Sequence, residues 1–370
     1  MRIKAAVTYE HNAPFVIKEV NLAEPKDTEI LVRMAGCGIC HSDLFVKDNG
    51  PTPLPVVFGH EGSGVVERVG SAVTMVEPGD HVVFCSYSCG ICEPCLSGHP
   101  AWCVRSREVN FGGVSSDGTK RLSDDEGNEL SCFFGQSSFA TYVVADQRSA
   151  VKVRKDIDLA MLGPLGCGFQ TGAGSVLNVL KAKAGDTIAI FGCGTVGLAA
   201  LMAAKLAGCG TIIGIDAVDA KLDLAKELGA THCINAKNME DATSGITKEI
   251  MDITEGKGLD FTFETTAAQA LLGAAIESLK PGGSAGTVAT TLGDAIVGIK
   301  INALMGQSKK LVGIVQGDSI PWLFIPKLID FYMEGRFPID KLITYYDFDD
   351  INKAADDAHH GLVIKPVLRF

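Results

Sequence analysis

The sequence predicts an α/β protein with two domains, one rich in β-strands and one built on a doubly wound parallel sheet. Three observations predict this fold class. The chain has 370 residues, which suits two domains of ordinary size. From Lys4 to about Ala150 short β-branched runs alternate with glycine, proline and aspartate, whereas continuous apolar runs begin near Gly185. A glycine-rich turn follows the first of those apolar runs, where a strand would pass into a helix.

Antiparallel strands are predicted in the first segment by its β-branched runs and by the turn-forming residues between them. The runs are Ile30–Met34, Gly64–Val69, His81–Phe84 and Ala140–Val144. The number of turn residues predicts a loop-rich β domain.

The second segment alternates strands with helices. Its apolar runs predict six parallel strands at Thr187–Phe191, Thr211–Ile215, His232–Asn235, Leu259–Glu264, Ser284–Ala289 and Leu311–Val315. The clearest helix is Ala220–Leu228, because leucines recur one turn apart and Gly229 ends it. A helix at Trp322–Glu334 and a strand at Leu362–Leu368 do not continue this series, and we expect them to return to the first domain.

Composition excludes several classes of partner. The net charge of -11 is spread along the chain without a basic cluster, which argues against nucleic acid. No apolar run is long enough to span a membrane and Met1–Asn12 lacks the apolar region of a signal peptide, so we expect a cytoplasmic protein. Twelve cysteines in such a chain indicate metal ligands and buried thiols rather than disulfides.

The glycine-rich turn predicts a dinucleotide site formed by Gly192, Gly194, Thr195, Val196 and Gly197. Its glycines permit a tight turn, close approach of a pyrophosphate and close packing of the helix, whose N-terminus faces the phosphates. Asp216 ends the next strand, where an acid accepts hydrogen bonds from a ribose and repels a 2′-phosphate, so NAD is favoured over NADP. The alternative is a tight turn that binds no ligand.

Four cysteines are closely spaced in a loop rich in glycine and proline, at Cys89, Cys92, Cys95 and Cys103. Four thiolates complete a tetrahedral zinc site and leave no position for a substrate. The spacing therefore predicts a structural zinc at residues 85–104. An iron–sulfur cluster or disulfides are the alternatives.

Three further candidate ligands lie in separate turn-rich segments: Cys40, His60 and Cys167. Taken singly, each is more often a buried cysteine or a hydrogen-bonded histidine than a ligand. Together they supply two thiolates and an imidazole, the ligand set for which alcohol dehydrogenase is a known example of catalytic zinc with an open position.

These motifs resemble those of the zinc-containing alcohol dehydrogenases of the medium-chain dehydrogenase/reductase family, over essentially the whole chain. The spacing of Gly59, His60, Glu61, Gly64 and Gly70 resembles the family's zinc signature, and the four-cysteine loop and glycine turn follow in the expected order. Within the family, the Cys40-His-Ser-Asp motif and the long 117–139 insertion are most similar to aryl (benzyl) alcohol dehydrogenases.

The resemblance implies a GroES-like β-barrel catalytic domain at residues 1–168 and 313–370, with a Rossmann coenzyme domain at 169–312 and the active site in the cleft. It also implies two zinc ions per chain, NAD, and a homodimer or homotetramer. Cys40, His60 and Cys167 would hold the catalytic zinc, while Asp43 orients His60 and Glu61 lies behind the metal. The remaining implied contacts are Thr171 with nicotinamide, Lys221 with the ribose beside Asp216, and His41 and Lys365 with the pyrophosphate.

The implied reaction is oxidation of an alcohol to an aldehyde, with zinc acidifying the alcohol and NAD accepting the hydride. Ser42 would take the proton into a relay. Relatives often end this relay with a histidine where this chain has Phe45, so water or His41 must complete it.

The substrate is less defined by the sequence than the reaction. Cys85 indicates either room for a bulky ring or a small core residue. Aryl alcohols are the first expectation, glutathione-dependent formaldehyde or polyol oxidation are the alternatives, and an NAD-binding structural protein is the non-enzyme alternative.

Overall fold

The computed structural model describes residues 1–288, 296, 298–299 and 301–370. The chain forms two compact units. The first contains Met1–Gly168, Ile320–Asp330 and Ile339–Phe370, and the second contains Phe169–Ser319 and Phe331–Pro338. The domain boundaries expected between residues 168 and 169 and between residues 312 and 313 stay a prediction.

The strands, in chain order, are β1 (Arg2–Thr8), β2 (Val16–Leu22), β3 (Glu29–Gly38), β4 (Val56–Val57), β5 (Glu61–Val69), β6 (His81–Phe84), β7 (Leu122–Ser123), β8 (Glu129–Cys132), β9 (Tyr142–Asp146), β10 (Ala150–Val153), β11 (Thr187–Phe191), β12 (Thr211–Asp216), β13 (His232–Asn235), β14 (Leu259–Glu264), β15 (Leu279–Thr287), β16 (Lys310–Gly313), β17 (Ile343–Asp347) and β18 (Lys365–Arg369).

The helices are α1 (His41–Asn49), α2 (Glu93–Leu96), α3 (Ser106–Phe111), α4 (Leu159–Leu162), α5 (Gly168–Gly174), α6 (Thr195–Ala207), α7 (Asp219–Leu228), α8 (Ala242–Ile253), α9 (Gln269–Glu277), α10 (Ile301–Gly306), α11 (Pro321–Met333) and α12 (Ile351–His359). Within the described part of the chain, none of them has the length and apolar character that crossing a bilayer requires.

The first unit consists of a closed barrel and a larger sheet. The barrel has the strand order β1-β2-β7-β8-β4, and the sheet has the order β10-β6-β5-β3-β18-β17, with β9 also paired to β3. Most pairs are antiparallel, as expected, but β4 pairs parallel to β8 and β17 parallel to β18. Strands β17 and β18 can pair in parallel because α12 lies between them in the chain and forms the crossover connection that returns the chain to the same end of the sheet.

The second unit is a parallel sheet with the order β13-β12-β11-β14-β15-β16. Strand β11 lies at its centre, and Ile188–Phe191 are completely buried, as expected for a strand covered on both faces. The doubly wound order confirms the predicted α/β fold class.

Predicted elements are confirmed with small shifts at their ends. The strand expected at 284–289 already begins at Leu279, and its expected last residue, Ala289, lies outside the described residues. The final strand begins at Lys365 rather than Leu362. Helix α6 begins at Thr195, because Gly192 has a φ of +95°, which a helix does not allow.

Candidate metal and coenzyme sites

Three separate parts of the first unit bring the predicted catalytic ligands together. Cys40 precedes α1, His60 precedes β5, and Cys167 precedes α5. The ligand atoms of these three residues and of Glu61 all lie within 4.8 Å of one another. Residues far apart in the chain thus form one compact group of metal-binding side chains.

Asp43 determines which nitrogen of His60 faces this group. Its Oδ1 accepts from His60 Nδ1 at 2.8 Å and its Oδ2 accepts from the backbone N–H of Cys40 at 2.9 Å. Burial disfavours a charged ring, but the Asp43 carboxylate raises the pKa of His60 well above its ordinary value. His60 Nε2 is buried and has no hydrogen-bond partner among the described residues, so it is oriented as a metal ligand.

The two cysteines supply the charge that a divalent metal requires. A hydrogen bond from Cys167 lowers the pKa of Cys40 well below its ordinary value, and the same bond, with burial, raises the pKa of Cys167. Two thiolates and an imidazole, whose buried Nε2 has no hydrogen-bond partner among the described residues, fit zinc.

Glu61 is the fourth residue of this group and is completely buried. Burial raises its pKa to about 7, against the opposing charge of Lys365. The ammonium of Lys365 donates to Glu61 Oε2 at 2.8 Å and to the carbonyl of Ile39 at 3.0 Å. Lys365 is thus the partner of Glu61, and its expected contact with pyrophosphate stays a prediction.

The four-cysteine loop is a second group of metal-binding side chains. The sulfur atoms of Cys89, Cys92, Cys95 and Cys103 all lie within 4.8 Å of one another. None of the twelve cysteines forms a disulfide in the described part of the chain, which argues against the disulfide alternative. The backbone N–H of Val104 lowers the pKa of Cys92 to about 6, so a thiolate forms readily here. Four sulfur ligands and no imidazole fit a structural zinc.

The glycine turn lies in the second unit between β11 and α6. Gly192 has a left-handed φ of +95°, and a Cβ on Gly197 would lie 1.8 Å from the carbonyl oxygen of Gly192. A Cβ on Gly194 would meet nothing within 4 Å, so space for a ligand lies beside the start of α6. Asp216 Oδ2 accepts from the N–H of Cys193 at 2.8 Å, which fixes the acid beside this turn. These features fit a dinucleotide.

The other predicted residues occupy ordinary positions. His41 is exposed at the start of α1, Ser42 is half-buried next to it, and the rings of His41 and Phe45 have centroids 6.1 Å apart. Thr171 lies in α5 and Lys221 in α7, both half-buried. Cys85 is completely buried and burial raises its pKa to about 12, which favours a small core residue.

Sequence reasoning missed two contacts of the catalytic ligands. The first is the ion pair between Glu61 and Lys365, and the second is the ring of Phe134 stacked on His60. No local spacing or motif in the sequence indicates either contact, because the partners come from different parts of the chain.

Comparison with known proteins places the chain in a family. Residues 26–155 match the alcohol dehydrogenase GroES-like domain, and residues 195–333 match the zinc-binding dehydrogenase domain. The chain is 42% identical to the geraniol dehydrogenase of Castellaniella defragrans, over 99% of this chain and 97% of that protein. It is 35% identical to the S-(hydroxymethyl)glutathione dehydrogenase of Paracoccus denitrificans, over 100% of both chains.

Solved structures give the same result. The benzyl alcohol dehydrogenase of Acinetobacter calcoaceticus superposes with a TM-score of 0.95 at 40% identity, covering 100% of this chain and 99% of that one. A zinc-binding-domain alcohol dehydrogenase protein of Burkholderia ambifaria superposes with a TM-score of 0.96 at 44% identity, with the same coverage. The chain therefore belongs to the zinc-containing alcohol dehydrogenases of the medium-chain dehydrogenase/reductase family.

Proposed function

We propose that this alcohol dehydrogenase oxidises a primary alcohol next to an aromatic ring or a carbon–carbon double bond to the aldehyde, with NAD as the hydride acceptor. The observation that carries the proposal is the group formed by Cys40, His60 and Cys167, in which a buried imidazole nitrogen lacks a hydrogen-bond partner among the described residues. Zinc bound there would act as a Lewis acid that lowers the pKa of a substrate alcohol, and NAD would accept the hydride.

The surroundings of His60 support an apolar substrate. Its ring stacks on Phe134 and meets Phe133 edge to face, so two hydrocarbon rings pack against this ligand. The names of two relatives point the same way: benzyl alcohol carries its CH₂OH group on an aromatic ring, and geraniol carries it beside a double bond. We infer that the shared chemistry is a reacting carbon attached to a flat, apolar group.

Asp216 supports NAD as the coenzyme. Its Oδ1 accepts from the N–H groups of Ala217 and Val218 at 2.8 Å and 3.0 Å, while Oδ2 accepts from Cys193. A carboxylate at this position would repel the additional phosphate of NADP. We propose Lys221 as the neighbouring contact for the adenosine ribose, with Thr171 beside the nicotinamide.

Ser42 is our candidate for accepting the alcohol proton. It follows Cys40 by two residues at the start of α1 and is half-buried. Phe45 cannot carry a proton further, whereas the exposed His41 can pass one to solvent. We therefore propose that His41 or water completes the relay.

The test measures NADH formation from benzyl alcohol and geraniol with NAD, together with zinc per chain. We expect about two zinc ions per chain, and a kcat/KM about 10-fold or more above that for sorbitol or S-(hydroxymethyl)glutathione. A preference for the glutathione adduct would overturn the substrate class and favour the function named for the Paracoccus relative. Equal use of NADP would overturn the role of Asp216.

A further inference from the structure

An aromatic cluster packs against the metal-facing ligand His60. The rings of His60 and Phe134 are stacked, with centroids 4.4 Å apart and planes 25° apart. Phe133 meets the same imidazole edge-on at 5.6 Å. Asp43 holds the imidazole at Nδ1 only, and a single hydrogen bond tolerates tilting of the ring plane. A ring stacked on the imidazole face restricts that tilt.

The backbone at Phe134 is unusual for so large a side chain. Phe134 has a φ of +53°, in the left-handed region that a bulky residue rarely adopts, and Gly135 follows at +63°. The N–H of Phe134 donates to the carbonyl of Asn110 at 2.9 Å, which holds this conformation in place. Strained residues of this kind persist only where the surrounding structure determines them, and they cluster at functional sites.

Asn110 connects Phe134 to the four-cysteine loop. The N–H of Tyr87 donates to Asn110 Oδ1 at 3.0 Å, and Asn110 Nδ2 donates back to the carbonyl of Tyr87 at 3.4 Å. The preceding residue, Val109, is completely buried in one cluster with Tyr87, Cys89 and Cys103. Helix α3 thus contacts the structural cysteines through the side chain of Val109 and the backbone of Phe134 through the carbonyl of Asn110.

We propose that Phe134 is a positioning residue that fixes the ring plane of His60, and that Asn110 ties this ring to the four-cysteine loop. The inference rests on the proposed catalytic metal site and goes beyond it. The two metal sites would then be coupled. An ordered cysteine loop would fix the position of α3, and α3 would fix the position of Phe134. Phe134 would in turn keep His60 Nε2 oriented toward the metal.

The test replaces zinc with cobalt, whose visible absorption reports the geometry of its ligands. Cys40→Ser identifies the band that belongs to the His60 site. In Phe134→Leu we expect this band to shift and the affinity of that site for cobalt to fall about 10-fold, near the lower end of the loss seen for groups that orient a ligand. Phe134→Tyr keeps the aromatic face and should restore both values.

A matched control removes an equally buried ring elsewhere. Phe348 packs on Phe370 in the same unit, so Phe348→Leu should lower thermal stability and leave the cobalt band unchanged. Asn110→Ala should shift the band in the same direction as Phe134→Leu. An unchanged band in Asn110→Ala would overturn the link to the cysteine loop, and an unchanged band and affinity in Phe134→Leu would overturn the inference. A wild-type enzyme without a His60-site band would overturn the proposed catalytic site as well.

Discussion

At the scale of single residues, the geometry of the metal site depends on groups that do not touch the metal. Asp43 is completely buried and accepts hydrogen bonds from His60, Cys40 and Gly59. Asp43 therefore orients His60 by a bond to the His60 side chain and Cys40 by a bond to the Cys40 backbone. The charge of Glu61 is balanced in the same buried region by Lys365. We expect substitutions at Asp43, Glu61 and Lys365 to lower the affinity for the metal more than they lower the stability of the fold.

Asp43→Asn tests this dependence. An amide has one acceptor oxygen and no charge, so it cannot satisfy the N–H groups of His60, Cys40 and Gly59 together. We expect the affinity for the catalytic metal to fall about 10- to 100-fold, with loss of alcohol oxidation. Metal analysis after dialysis should find the cysteine-loop zinc retained and the catalytic zinc lost. Retention of both ions with full activity would contradict the role of Asp43.

His81 predicts a dependence of stability on pH. Burial lowers its pKa, Lys155 lowers it further, and its Nδ1 is buried without a hydrogen-bond partner in the described part of the chain. The fold therefore favours the neutral ring. The stability that this preference contributes is fully present above the unfolded pKa of about 6.5 and is lost as the pH falls through the lower folded pKa.

We expect the Tm of the wild type to fall more than that of His81→Gln between about pH 8 and about pH 5. Glutamine keeps the polar character and removes the titration. The exposed His232, changed to Gln, is the matched control and should follow the wild type. Parallel curves for the wild type and His81→Gln would show that the burial of His81 is not linked to stability.

At the scale of elements, the 117–139 insertion is attached to β3 by a buried ion pair. Arg121 Nη2 donates to Glu29 Oε1 at 2.6 Å, with the Arg121 and Glu29 side chains only 4% and 2% exposed. Arg121 Nε also donates to both oxygens of Glu29 at 2.9 Å. The insertion carries Phe133 and Phe134, so this attachment also supports the cluster around His60.

Arg121→Met should destabilise the protein by about 3–5 kcal/mol, because it leaves the Glu29 carboxylate buried without its partner. Urea unfolding monitored by fluorescence measures this free energy. Removing both charges with Arg121→Met and Glu29→Gln should recover much of the loss. The exposed pair Arg33–Glu67 is the control, and Arg33→Met should cost less than about 1 kcal/mol. Similar losses at both sites would contradict the importance of burial.

At the scale of the whole molecule, the two units carry different parts of the proposed chemistry. The metal-binding groups lie in the first unit and the glycine turn lies in the second. Strand β16 ends the sheet of the second unit and, in the described residues, pairs only with β15. Leu311 on this edge and Val315 just beyond it are 37% and 55% exposed. An edge strand with exposed apolar side chains favours pairing with another chain.

We propose that β16 is the contact of a homodimer or of the dimers in a homotetramer. Sedimentation velocity should give a mass that is a multiple of the 39.0 kDa chain. Leu311→Lys places a charge on the edge and should lower that mass. Leu323→Lys changes an exposed leucine on α11 and should leave the mass unchanged. A monomeric wild type, or an unchanged Leu311→Lys oligomer, would contradict the proposal.

The sequence alone predicts the fold class, the order of the motifs and the composition of the four-cysteine group. These properties are encoded locally: the spacing of the four cysteines, the glycines of the turn and the apolar runs of the parallel strands are all read within a few residues. Asp43 was identified as the partner of His60 because the resemblance supplied that pairing.

The packing of the folded chain determines which distant side chains complete the site. Lys365 binds Glu61 although 304 positions separate them in the chain. Phe134 stacks on His60 although the cysteine loop lies between them in the sequence. No repeat or spacing in the sequence indicates either pair, because each contact depends on how strands from separate segments pack into one unit. The ion pair and the stacked ring follow from packing, because a buried charge requires a partner and a buried ring requires a neighbouring surface.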